Sequence, residues 1–221
     1  MRRAMVVGAF VALGLGWSSA HGQVVKEPGS GLNFDVHRQV MGKPHTLVGV
    51  GLRKVFVFAK VYAAGLYVDD ETGKPAFAKL LESSGGNLDA LRGTAKLNNW
   101  LIGGDFGKCM EWVFVRDLEK GKMAKTVKES LERELGDLGA PDLKDAADKF
   151  LGALDVPLKK WQRLVLVQRP GAEMNAILDG KLVVKVRNRK IAQAMWRIYV
   201  GPNPVQADLK KSLLAKIENL Q

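Results

Sequence analysis

Arg53 and Tyr62 stand inside a largely apolar stretch, GVGLRKVFVFAKVYAAGLYVDD, which runs from Gly49 to Asp70. A guanidinium and a phenol both donate hydrogen bonds, so together they could hold one anion in apolar surroundings, where charge-assisted bonds are strong. Geometry sets a condition. In one straight strand at about 3.3 Å per residue the two would stand roughly 30 Å apart, so they converge only if the chain turns between them. The alternative is an arginine at a strand end and a tyrosine with its ring in the core and its hydroxyl at the rim.

The other residue types that carry chemistry offer less. Cys109 is the single cysteine, which rules out an intramolecular disulfide and leaves the fold to its core. As a nucleophile it would need a base, and His21, His37 and His45 show no spacing that pairs any of them with it. We therefore read Cys109 as a packed small side chain. No cysteine or histidine pair has zinc-ligand spacing, and neither a metal nor a cofactor is expected. No catalytic residue can be named.

The remaining sequence must supply the elements that position these groups. With 221 residues, 47% of them hydrophobic and 26% charged, the chain reads as a soluble globular protein of one domain. The segment 1–20 stands apart from it. Arg2 and Arg3 precede an apolar run from Ala4 to Trp17 and then small residues, the pattern of a secretory signal peptide cut after Ala20. The expected mature domain is 21–221, located in the periplasm. The formal charge of +11 falls to +9 without Arg2 and Arg3. Such basicity suits nucleic acid, an anionic membrane surface or acidic ligands. Export argues against nucleic acid, whereas peripheral contact with an anionic membrane stays open.

The order of elements is strands first, helices after, then strands and helices again. Strands are expected at Leu32–Val40 and Thr46–Leu52, followed by Val55–Val68 as one strand or two in succession. A short helix over Pro75–Glu82 precedes a strand around Leu91–Leu97. Trp112–Leu118 is read as the beginning of a helix, and Val127, Leu131 and Leu135 repeat at helical spacing. Asp142 is expected to cap a helix carrying Leu143, Ala147, Phe150, Leu151 and Leu154 on one face. Arg163–Gln168, Ala176–Leu178 and Leu182–Val186 then form a meander around the turns RPGAE and DGK. Helices follow at Ile191–Val200 and after Asn203, which is read as a cap. The expected class is α+β, an antiparallel sheet covered on one face by helices, which can enclose an apolar cleft.

Several of these stretches carry a resemblance. GVGLR, Gly49–Arg53, followed by KVYAAGLYVDD, Lys60–Asp70, resembles the signature of the chalcone isomerase family, which includes fatty-acid-binding and bacterial chalcone-isomerase-like members. RKIAQAMWRIYVGPNPVQADLKKSLLAKI, Arg189–Ile217, is similar to the family's paired terminal helices. The meander QRPGAEMNAILDGKLVVKV is similar to the two strands before them. The likeness spans roughly 32–217. It implies an open-faced β-sandwich, a large antiparallel sheet backed by a layer of helices.

The resemblance also implies a site. In the plant enzymes the arginine matched by Arg53 lies in the ligand cleft, and in the fatty-acid-binding relatives an arginine and a tyrosine hold a carboxylate. Tyr62 matches the position of a catalytic threonine in the enzymes. Aligning VKES, Val127–Ser130, with the family helix puts Ser130 where the enzymes have asparagine and Met123 where they have a tyrosine. The ligand-binding candidates are accordingly Arg53, Tyr62, Met123 and Ser130. With the enzymes' polar set altered, we expect an exported, non-catalytic protein that binds a fatty acid or a similar amphipathic carboxylate. Two alternatives are an isomerase or intramolecular lyase with another substrate, and an envelope protein that binds a partner and no small ligand.

Overall fold

Val, Leu and Tyr supply the large apolar side chains of the two longest strands, β4 (Lys43–Val55) and β5 (Ala59–Asp69), as β-branched and aromatic residues do on a pleated, buried surface. The structure is a computed structural model and describes residues 22–56 and 58–221. The signal segment expected at 1–20 lies outside the described residues. β4 and β5 pair antiparallel and the chain reverses between Val55 and Ala59, so the stretch read as one strand or two is the end of one strand, a turn and the next strand.

These strands belong to a seven-stranded antiparallel sheet in simple sequential order: β3 (His37–Val40), β4, β5, β6 (Lys108–Phe114), β7 (Arg163–Arg169), β8 (Glu173–Leu178) and β9 (Lys181–Arg187). A small hairpin of β1 (Val24–Lys26) and β2 (Asn33–Asp35) brings Phe34 onto the outer face, where Leu47, Ala63, Tyr67, Cys109 and Val113 form a second core layer. The inner face carries the main core. Tyr62, Ala64, Leu66, Met110, Trp112 and Phe114 pack there against the helices. This is the α+β class expected from the sequence, a large antiparallel sheet backed by a layer of helices.

The helical layer comprises α1 (Gly73–Glu82), α2 (Leu88–Leu91), α3 (Ala95–Gly103), α4 (Lys122–Leu135), α5 (Lys144–Leu154), α6 (Arg189–Val200) and α7 (Ala207–Leu213), closed by a 3₁₀ turn at Ile217–Leu220. In α4, Met123, Val127, Ser130 and Leu131 are buried, the one-face spacing of an amphipathic helix. Helix α6 is buried along most of its length and packs on α3 and α4. Helix α7 lies directly on β4. A Cβ at Gly49 would stand 2.4 Å from the Ser212 carbonyl oxygen, and one at Gly51 2.8 Å from Leu209 Cδ1. The glycines of GVG therefore admit a helix against the sheet.

Local expectations fail where burial or capping overrides pattern. Leu91–Leu97 is the end of one helix, a turn and the start of the next instead of a strand, because the Asn87 side chain accepts the Ala90 N–H at 3.0 Å and the Thr94 hydroxyl accepts the Leu97 N–H at 3.3 Å, starting α2 and α3. Trp112 to Phe114 end a strand instead of beginning a helix; β6 is buried on both faces, which erases the alternation that marks a strand. Asp142 does not cap α5, since its carboxylate pairs with Lys190 at 2.7 Å and Leu143 occupies the cap position. The last helix starts after Gln206, beyond the cap expected at Asn203, once the Val205 N–H has bonded back to the Ile198 carbonyl at 2.7 Å.

Candidate ligand-binding cavity

Between the turn end of β4 and β5, the inner faces of α4 and α6, and the loops after β6 and α5 lies a cavity of about 760 Å³. That falls within the roughly 300–1,000 Å³ of small-molecule sites. Arg53, Tyr62, Met123 and Ser130 all line it. The register explains how the first two meet. Arg53 and Tyr62 are direct cross-strand partners, so the turn required by their sequence separation is present and both point to the inner face.

Tyr62 is buried, its ring stacked on Trp112 with centroids 5.3 Å apart and edge-on to Phe114 at 5.9 Å. Its hydroxyl lies 3.1 Å from that of Tyr199, which α6 presents from the opposite wall. Burial pushes the Tyr62 phenol above its ordinary pKa, opposed in part by the Tyr199 hydroxyl and the Arg53 guanidinium. The Tyr199 phenol is pushed well up by burial and then by Tyr62. Both phenols therefore keep their protons at neutral pH. Two O–H groups sharing one mutual hydrogen bond leave one proton to donate to a guest.

Arg53 is half-buried. Its Nη1 donates to the Lys54 carbonyl and, at 3.3 Å, to Gln206 Oε1. The same Gln206 oxygen accepts the Lys54 N–H at 2.9 Å, so the start of α7 anchors the arginine. Nε and Nη2 make no hydrogen bond among the described residues, which leaves one edge of the fork for an anion.

Met123 and Ser130 contribute differently. Met123 adds an apolar wall together with Val127, Met195 and Ile198. The Ser130 hydroxyl donates to the Thr126 carbonyl one turn back, at 2.9 Å, so it presents little polarity to the cavity. The sequence reading missed Tyr199, whose hydroxyl was hidden in the apolar pattern of a helix, and the charged mouth. Arg116, Lys122 and Lys159 line that mouth with Asp117 and Glu119. Asp117 is engaged by Lys159 at 3.4 Å and by the Lys160 N–H at 2.8 Å.

The groups set aside at the sequence level sit elsewhere. Cys109 is fully buried on the outer layer, and burial pushes its thiol far up, so it is a packed thiol. His37 Nδ1 lies 3.1 Å from the Thr46 hydroxyl and His45 Nδ1 lies 2.9 Å from the Lys43 carbonyl oxygen; neither lines the cavity. Among the described residues no three His, Cys, Asp or Glu side chains are grouped as a metal site.

Comparison with known proteins agrees with this architecture. A family model described as chalcone isomerase-like matches residues 101–215. Over 205 residues the chain is 23% identical to fatty-acid-binding protein 1 of Arabidopsis thaliana, covering 89% of this chain and 71% of that protein. The crystal structure of an Arabidopsis thaliana fatty-acid binding protein superimposes with a TM-score of 0.72 at 20% identity, covering 90% of this chain and 98% of the other.

Proposed function

Because the chain belongs to the chalcone isomerase-like family, we propose that it is a non-catalytic binding protein for a fatty acid or a similar amphipathic carboxylate. The observation that carries this reading is the convergence of Arg53, Tyr62 and Tyr199 on one cavity whose other walls are apolar. A carboxylate there would accept from the guanidinium edge and from the free phenol proton, while its chain lies along Met123, Val127, Met195 and Ile198. The similarity to a plant protein named for fatty-acid binding supports the same ligand class.

The lining groups favour binding over turnover. A general base works best with a pKa near neutral, whereas the phenols here stay protonated and the lining carboxylates, Asp117 and Glu119, are exposed at the mouth. Export to the periplasm is part of the proposal and rests on the sequence of residues 1–20. Titration of delipidated protein with a long-chain fatty acid and with its methyl ester tests the ligand class. Binding of the acid and weak binding of the ester are expected; equal binding of both would remove the carboxylate from the account.

A further inference from the structure

Three aromatic side chains are exposed among the described residues: Phe56 at 84%, Phe58 at 82% and Trp161 at 54%. All three stand at one end of the sheet. Phe56 and Phe58 lie where the chain reverses from β4 to β5, the Trp161 N–H donates to the carbonyl of Phe114 at the end of β6 at 2.7 Å, and the Val115 N–H donates to the Val61 carbonyl at the start of β5 at 3.0 Å. Phe56 has a φ of 55°, a left-handed conformation that suits Gly or Asn and is unfavourable for a bulky residue. Neither the turn nor the core gains from a phenylalanine there.

Basic residues surround these rings. Lys54 and Lys60 flank the turn, Arg116, Lys122 and Lys159 border the cavity mouth, and Lys160 places its ammonium 4.6 Å from the Trp161 ring centre. Lys54, Lys60, Arg116 and Lys122 make no ion pair among the described residues, and of the nearby carboxylates Asp117 already holds Lys159. We propose that this end of the molecule is a docking surface for an anionic lipid bilayer, with Phe56, Phe58 and Trp161 entering the interface and the lysines and arginines meeting the headgroups. Exposed aromatics beside cations are the two signals that peripheral attachment requires. A second copy of the chain is a poorer occupant, since both copies would bring a positive surface. No helix of the described residues is long and apolar enough to cross a membrane, in keeping with attachment at the surface.

The consequence for the cavity follows from its rim. Val55, Phe56 and Ala59 belong both to the hairpin end and to the cavity lining, so docking sets the mouth against the lipid. An amphipathic molecule would then pass between bilayer and cavity without crossing bulk water. That consequence rests on the ligand reading above; the docking does not.

Vesicle flotation tests the surface, using protein from residue 21 onward, which keeps the whole sheet and its helices. Vesicles of phosphatidylcholine with phosphatidylglycerol in about a two-to-one ratio are compared with pure phosphatidylcholine. Binding to the anionic vesicles is expected, weakened at least about tenfold by Phe56→Ser with Phe58→Ser and by Lys54→Glu with Lys60→Glu. These side chains are exposed, so thermal midpoints should stay near wild type. Tyr62→Phe, which is expected to weaken fatty-acid capture in solution, should retain vesicle binding, so a failure of either reading shows by itself. Absence of binding, binding indifferent to the phenylalanine pair, or association of the protein with itself through that pair in place of vesicle binding would each overturn the proposal.

Discussion

Arg53 and Tyr62 face each other in the register of the β4–β5 hairpin, and the chain reversal between Val55 and Ala59 is what makes neighbours of residues on successive strands. Tyr199 completes the group from α6, with its hydroxyl 3.1 Å from that of Tyr62. Carboxylate binding, as proposed, requires these three side chains to act together.

The phenol pair should show coupling in stability. Tyr62→Phe or Tyr199→Phe alone leaves the other buried hydroxyl without its partner and should cost on the order of 1 kcal/mol. The double substitution should cost less than the sum of the two, because no orphaned hydroxyl remains. Urea unfolding of the four proteins measures this, and strict additivity would mean that the bond contributes nothing.

Ser130 and Met123 should separate polarity from shape. Since the Ser130 hydroxyl serves the Thr126 carbonyl, Ser130→Ala should change fatty-acid affinity by less than about twofold. Met123→Trp extends a large ring into the cavity and should reduce that affinity by about tenfold or more. Titration of both variants decides, and a strong Ser130→Ala effect would place its hydroxyl on the ligand.

Gly49→Ala should loosen the C-terminal helix from the sheet. The added methyl meets backbone atoms, the Ser212 carbonyl oxygen at 2.4 Å and Leu213 C at 2.7 Å, which cannot rotate away. A destabilisation of roughly 2 kcal/mol or more is expected in thermal or urea unfolding. A neutral result would show that α7 can shift freely.

Lys108 gives a pH signature. It is fully buried on β6, where desolvation brings its pKa down to about 7, opposed in part by Asp105, while its Nζ donates to the Gly104 carbonyl at 2.9 Å. Between pH 7 and the ordinary lysine value of 10.5 the unfolded chain holds a proton that the folded chain lacks, so this group makes stability rise with pH. Cys109 acts in the opposite sense above its ordinary value of 9.0, because its buried thiol keeps a proton that the unfolded chain releases. The rise should therefore be visible between pH 7 and 9, and Lys108→Met should flatten it. An unchanged slope in the variant would show that Lys108 does not titrate in this range.

Much of this was legible in the sequence where side chains report their surroundings plainly. The donors Arg53 and Tyr62 stood out against apolar neighbours, and the β7–β9 meander announced itself through RPGAE and DGK. The turn between Arg53 and Tyr62 was ambiguous because FVF carries none of the usual turn residues. Strand β6 was invisible as a strand because it is buried on both faces, and it even includes buried Lys108 and Glu111. Tyr199 lay inside a helical apolar stripe, where a hydroxyl aimed at a cavity looks no different from a ring in the core. The common face of Met123, Val127 and Ser130 follows from helical spacing, whereas the cavity they line depends on where the sheet places α4.

In the proposed complex, Arg53 anchors a carboxylate in the cavity. Native mass spectrometry of wild type and Arg53→Ala, with extraction and identification of bound lipid and titration with a long-chain fatty acid, tests it most directly. A fatty acid carried or taken up by the wild type, with affinity lowered about tenfold or more in the variant, is the predicted result. A wild-type protein that is empty and fails to bind added fatty acid, or one whose affinity is untouched by Arg53→Ala, would contradict it.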